Sequence, residues 1–174
     1  MADGNLFSIN LVTPERILLT GQAAEVILRT GDGDTTFLAG HTPLVGTVEP
    51  GVVRVVRAEG EEVRIAAHGG FVQVEQNILA DDETAGRSGS ADGDTRVTLL
   101  LGVAELAEEI DTGRAQVALE AAEASVAGLG SSTGRSGATG EAEEPDIELV
   151  EAEAALLRAQ VRLEAVDATS GTTA

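Results

Sequence analysis

The sequence predicts an α+β protein: an N-terminal antiparallel β-sandwich followed by a C-terminal antiparallel two-helix hairpin. Two observations carry that expectation. Up to about Glu75, apolar and β-branched runs of five or six residues alternate with turns rich in Gly, Pro and Asp, the rhythm of a sandwich or barrel. After about Val103 this rhythm stops and apolar residues recur at helical spacing. The stretch from Gly31 to Val56 concentrates the first signal. Its clusters Gly31-Asp32-Gly33-Asp34, Gly40-His41-Thr42-Pro43 and Glu49-Pro50-Gly51 supply the positive or fixed φ that a chain reversal needs.

Taken in order, Phe7, Ile9 and Leu11 alternate with Ser8, Asn10 and Val12 in a first strand ended by Thr13-Pro14. Residues 16–20 and 24–29 are expected as two strands parted by Gly21-Gln22, and 35–38, 44–48, 52–57, 63–67 and 71–75 continue at short, even spacing. Residues 76–79 and 96–101 can pair across 80–95, an acidic, Gly/Ser-rich insertion expected to be a mobile loop. The first domain is thus expected at 1–102, and Phe7, Phe37 and Phe71, its three aromatics, are expected in the core.

The second domain is expected at 103–174. Its first helix gathers Glu105, Leu106, Glu109 and Ile110, then runs from Arg114 to Val126, with Asp111-Thr112 as the N-cap of the main part. Small residues Ala115, Ala118, Ala121, Ala122 and Ser125 would let a partner helix approach closely. A Gly/Ser/Thr-rich loop at 128–145 leads to a second helix over 147–166. There Leu149, Ala152, Leu156, Ala159, Leu163 and Val166 form a narrow seam for one partner. Residues 169–174 are a tail.

Composition narrows function. The 174 residues leave room for one ordinary domain, or a small one with an appendage. Thirty acidic residues against eleven basic ones, all arginine, give a net charge of −19, which argues against nucleic acid and anionic membrane surfaces as partners. The chain has no cysteine, which excludes a disulfide scaffold and a thiolate nucleophile. No apolar run reaches the roughly 18–20 residues of a membrane span, so the chain is expected to be soluble and to meet a membrane only through a complex.

Catalytic patterns are thin. His41 and His68 lack metal-ligand spacing, and Ser8 and Ser125 lack a nucleophile elbow. Asp32-x-Asp34 lacks the rest of a calcium loop, and Gly31-x-Gly33 precedes no helix. The chain is therefore expected to be no enzyme, with no metal site and no required cofactor.

Three ordered blocks carry a resemblance. Gly33-x-x-x-Phe37-Leu38-x-Gly40-His41-x-Pro43-Leu44, then Pro50-Gly51-Val52-Val53-Arg54-Val55, then Gly69-Gly70-Phe71-Val72-Gln73-Val74 are similar to the ε subunits of bacterial rotary ATP synthases. The likeness covers residues 6 to 76, resumes at 96–127 and returns at 146–166. The resemblance implies a non-catalytic rotor subunit, peripheral at the cytoplasmic face of the cell membrane, coupling ring rotation to ATP synthesis. Its partners would be the γ subunit of the central stalk, the polar loops of the c-ring and, when the hairpin extends, the catalytic α and β subunits. Asp34, His41, Pro43 and Leu44 match the turn that faces the ring.

Some members of that family also bind ATP on the folded hairpin through an Ile/Leu-Asp-x-x-Arg-Ala motif. Ile110-Asp111-Thr112-Gly113-Arg114-Ala115 matches it, Glu105 matches an upstream acidic residue, and Arg158 and Arg162 match two phosphate-binding arginines. Arginines four apart on a helix converge on one anion. Three departures stand against the pattern. The family has a tight turn where 80–95 is inserted, a third arginine is replaced by Ala121, and residues 146–167 carry six acidic residues against two arginines. That last charge opposes attraction to an acidic partner segment, so inhibition by the hairpin is expected to be weak. Two other classes compete. One is a free-standing nucleotide-sensing module built on Asp111, Arg114, Arg158 and Arg162. The other is an enzyme centred on Asp34, His41 and His68, which only their proximity to turns supports.

Overall fold

Residues 6–77, 94–130 and 146–167 are described by the computed structural model. Residues 78–79 of the expected strand, residues 80–93 of the insertion, residues 131–145 of the loop and the 169–174 tail lie outside them. The chain divides into two compact units, Met1–Glu109 and Ile110–Ala174.

The first unit contains β1 (Phe7–Val12), β2 (Ile17–Thr30), β3 (Gly33–Phe37), β4 (Leu44–Val48), β5 (Gly51–Arg57), β6 (Glu62–Ala67), β7 (Gly70–Asn77), β8 (Asp94–Leu101) and β9 (Ala104–Leu106). Their order is β4-β7-β8-β1-β2-β5-β6-β9, with β3 also paired to β2. The sandwich is one hydrogen-bonded sheet folded over a single core, and β2 belongs to both layers. Its first half pairs with β1, and its second half pairs with β5 and β3. The register against β5 shifts between Ala23 and Glu25. That extra residue changes which parity points inward: Leu19 and Ala23 are buried before it, Val26 and Leu28 after it. The core joins them to Phe7, Ile9, Leu11, Phe37, Val53, Val55, Ile65, Val72, Val97 and Leu99.

Several expectations need correction. The two expected strands are one, Ile17–Thr30, because Gly21 and Gln22 pair with Ile9 and Ser8 and cross-strand bonding overrides their turn preference. β1 and β8 run parallel, the exception in an otherwise antiparallel sheet. Phe71 is 56% exposed rather than buried: with Val72 and Val74 pointing inward, period two sends Phe71 outward. Thr95 belongs to β8, not to the insertion. Residues 104–106 are a strand and Ala107–Glu109 a short 3-10 helix, neither of them part of the expected α-helix. The open edge of β6 captures them, pairing Ile65 with Leu106 and Ala67 with Ala104, so the sandwich unit runs past 102 to Glu109.

Gly70 is required by space as well as conformation. It has φ +156°, and a Cβ there would lie 2.2 Å from the Leu100 carbonyl oxygen.

In the second unit α1 (Thr112–Gly130) and α2 (Ile147–Asp167) pack together. α1 continues through Gly128–Gly130, part of the expected loop. Its inward side is Ala115 and Ala122, buried, with half-buried Leu119, Val126 and Leu129. Ala118, Ala121 and Ser125 are exposed, so only two of the five small residues serve the seam. On α2, Ala152 and Ala159 are buried and Leu149, Leu156, Leu163 and Val166 half-buried, as the spacing predicts. Val161 and Ala165, on the opposite side of α2, are buried too.

The end of the sandwich is tied back by Arg16, whose guanidinium forks onto both carboxylate oxygens of Glu109, Nη1 to Oε1 at 3.1 Å and Nη2 to Oε2. This hydrogen-bonded pairing lowers the Glu109 pKa and raises that of Arg16. A lowered carboxylate pKa contributes stability above the unfolded value, ordinarily 4.5, and loses it as pH falls through the folded value. The native chain is therefore expected to be more stable than Glu109→Gln at neutral pH. Denaturant titrations should show the gap closing below pH 4.5 and shrinking in high salt, since the pair is exposed.

Candidate functional site

The loop from Leu38 to Pro43 joins β3 to β4 and, with Leu44 at the start of β4, carries three of the four residues matched to the ring-facing turn. Its backbone turns tightly, with the His41 N–H donating to the Leu38 carbonyl (3.2 Å) and Gly40 at φ +81°. The His41 ring leans on buried Phe37, centroids 4.9 Å apart and planes tilted by 58°. Its Nδ1–H donates to the Thr42 carbonyl at 2.9 Å. Pro43 is exposed and Leu44, half-buried, starts β4. Asp34 is elsewhere. It lies beside the β2–β3 turn, opposite Arg29, whose Nε donates to it at 3.1 Å. Three residue steps along β3, about 10 Å, separate it from Phe37. His41, Pro43 and Leu44 are thus brought together and Asp34 is not.

The residues matched to a nucleotide site are divided between the two units. Glu105 lies in β9 of the sandwich, whereas Ile110, Asp111, Arg114, Ala115, Arg158 and Arg162 belong to the helical unit. Asp111 is an N-cap: its Oδ1 accepts from the Arg114 N–H (3.0 Å), and its carbonyl accepts from the Ala115 N–H (2.9 Å). Ala115 is buried in the helix seam. Arg158 is exposed and Arg162 half-buried, one turn apart on α2. The cap accounts for Asp111 without a ligand.

Other chemistry finds little support. Among the described residues no three His, Cys, Asp or Glu side chains cluster as a metal site. A cavity of about 150 Å³ lined by Gly21, Gln22, Arg57 and Glu59, among others, is smaller than the roughly 300 Å³ of ordinary ligand pockets. His68 follows β6 and donates its backbone N–H to Val103 (3.0 Å), in a different connection from His41.

One surface was missed by the sequence reading. Register places Phe71 opposite Leu100, Leu100 opposite Val12 and Val12 opposite Ile17, a continuous row across β7, β8, β1 and β2. Phe71, Leu100 and Ile17 are exposed, Ile17 by 66%, and exposed Val45 lies nearby on β4. The signal was available, because strict alternation from Val72 and Val74 puts Phe71 on the outer face.

The family described as "ATP synthase, Delta/Epsilon chain, beta-sandwich domain" matches residues 6–82, and "ATP synthase, Delta/Epsilon chain, long alpha-helix domain" matches 108–167. The ATP synthase epsilon chain of Thermobifida fusca (strain YX) is 42% identical over 125 residues, covering 71% of this chain and 79% of that one. That of Desulforudis audaxviator (strain MP104C) is 38% identical over 115 residues, covering 66% and 70%. Among solved structures, a chain of the Euglena gracilis mitochondrial ATP synthase (OSCP, F1 and c-ring) superposes with a TM-score of 0.62 at 22% identity, over 97% of this chain and 86% of that one. That likeness concerns the fold.

Removing the cap tests its role. Asp111→Ala is expected to destabilise the helical unit by about 1 kcal/mol, while Arg158→Ala, exposed on α2, leaves its thermal unfolding nearly unchanged; circular dichroism melts check both.

Proposed function

The chain belongs to the ATP synthase delta/epsilon chain family, and on that premise we infer how it works as a subunit of the synthase. It is a stalk, or rotor, subunit and not a catalytic one. We propose that its sandwich grips the γ subunit of the central stalk through the outer face of β7, β8, β1 and β2. The observation that carries this reading is the row Phe71, Leu100, Val12 and Ile17. An exposed apolar row across four strands is costly in water, and burying it against a shaft helix recovers that cost. The loop bearing His41, Pro43 and Leu44 meets the polar loops of the c-ring, so that torque passes from ring to shaft through the sandwich. No described helix is long and apolar enough to cross a membrane, and attachment at the cytoplasmic face comes through the complex.

The helical unit has the regulatory part. α2 presents a second apolar stripe, Ile147, Val150 and Leu157, all exposed, which suits contact with catalytic subunits when the hairpin opens. Its acidic excess keeps that contact, and hence inhibition of hydrolysis, weak. ATP as a regulatory ligand of the hairpin is a second reading, favoured by Arg158 and Arg162 sharing one side of α2. Calorimetry with ATP on the full chain tests it, with Arg158→Ala plus Arg162→Ala expected to abolish binding.

Replacing Phe71 and Leu100 by Glu is expected to weaken binding to a γ-type stalk subunit at least about tenfold, or 1.4 kcal/mol, without unfolding the sandwich; titration of the purified partners checks it. Unchanged affinity would refute the row. Deleting residues 110–174, which spares β9, is expected to change hydrolysis by the assembled enzyme by less than about twofold. A several-fold rise would refute weak inhibition.

A further inference from the structure

The loop at 38–43 is held by more than its own turn. Gly40 has both backbone polar groups occupied by side chains from distant strands. Its N–H donates to the Thr95 hydroxyl at 2.8 Å, and its carbonyl accepts from Gln76 Nε2 at 2.9 Å. The two side chains belong to one cross-strand pair, since Gln76 of β7 lies directly opposite Thr95 of β8. They reach 36 and 55 residues along the chain.

Thr95 is 1% exposed, the buried polar side chain among the described residues. Burying a hydroxyl is unfavourable unless it is hydrogen-bonded, and here the bond goes to the loop. A valine would fill the same space without that bond. Gly40 itself is exposed, so water could satisfy its polar groups. The two side chains therefore contribute location more than satisfaction. With the His41 ring seated on Phe37, the loop is fixed at consecutive residues before the exposed Thr42 and Pro43.

We propose that Thr95 and Gln76 are positioning residues. They form a two-point clamp on Gly40 that holds the His41–Leu44 turn in the geometry it presents to the ring. This rests on the ring-facing reading given above. The clamp ties the turn to β7 and β8, the strands that also carry Phe71 and Leu100 of the shaft-facing row. A contact surface fixed before docking loses less conformational freedom on binding, and a turn that must carry torque cannot be slack.

The test uses the full chain, alone and in the assembled enzyme, with Thr95→Val, Gln76→Leu and Thr95→Ser. In the chain alone, Gly40 amide exchange read by NMR should accelerate about tenfold or more in Thr95→Val. Core amides of β1 and β5 should hold, and Thr95→Ser should restore protection. In the assembled enzyme, Thr95→Val should lower the protons pumped per ATP hydrolysed, with the subunit retained and hydrolysis undiminished, and Thr95→Ser should restore coupling. If Thr95→Val does not fold, Gln76→Leu carries the same expectations through the other bond. Unchanged Gly40 exchange in both variants would overturn the clamp. Faster exchange with normal coupling, while His41→Ala uncouples, would overturn the positioning role and leave the ring-facing reading standing. Normal coupling in His41→Ala and Thr95→Val alike would overturn both.

Discussion

The one-residue shift in β2 near Ala24 is the constraint on which the sandwich depends. A strand that serves two layers must present its apolar side to the same interior from both, and strict alternation would turn one half outward. The inserted residue resolves this, with Leu19 and Ala23 inward on one side of it and Val26 and Leu28 on the other. β1 and β8 are then placed by the first half, and β5, β6 and β9 by the second. The core is made of Val, Leu, Ile, Ala and two phenylalanines, for the most part side chains small enough to pack closely.

Much of this architecture was legible beforehand, for physical reasons that can be named. Strands β3 to β7 are bounded by Gly, Pro and Asp turns whose backbone demands are local, so the residues announce them. Gly21-Gln22 misleads because pairing with β1 is a long-range effect that local preference does not contain. Residues 104–106 mislead for the same reason: Ala-Glu-Leu suits a helix, and only the free edge of β6 makes it a strand. Phe71 shows a different limit. A large aromatic defaults to the core in a composition argument, whereas its neighbours' alternation places it outside.

The candidate sites were legible unevenly. His41, Pro43 and Leu44 lie close in sequence and remain close in space. Asp34 was grouped with them by motif, although β3 separates it from them. Asp111 was named both as a cap and as a ligand-binding residue, and the geometry displays the cap. Nothing local could have linked Gly40 to Gln76 and Thr95, because their meeting depends on how β7 and β8 pair across residues remote from the loop.

The helical unit is held by a thin alanine-rich seam and carries an excess of acid, so modest apolar burial must outweigh like-charge repulsion to keep its two helices together. On one side of its first residue stands Glu109, forked to Arg16; on the other stands Asp111, bound into the first turn of α1. Between those fastened positions there is only Ile110. The boundary between the two units is thus a single residue whose neighbours on both sides are anchored, each within its own unit.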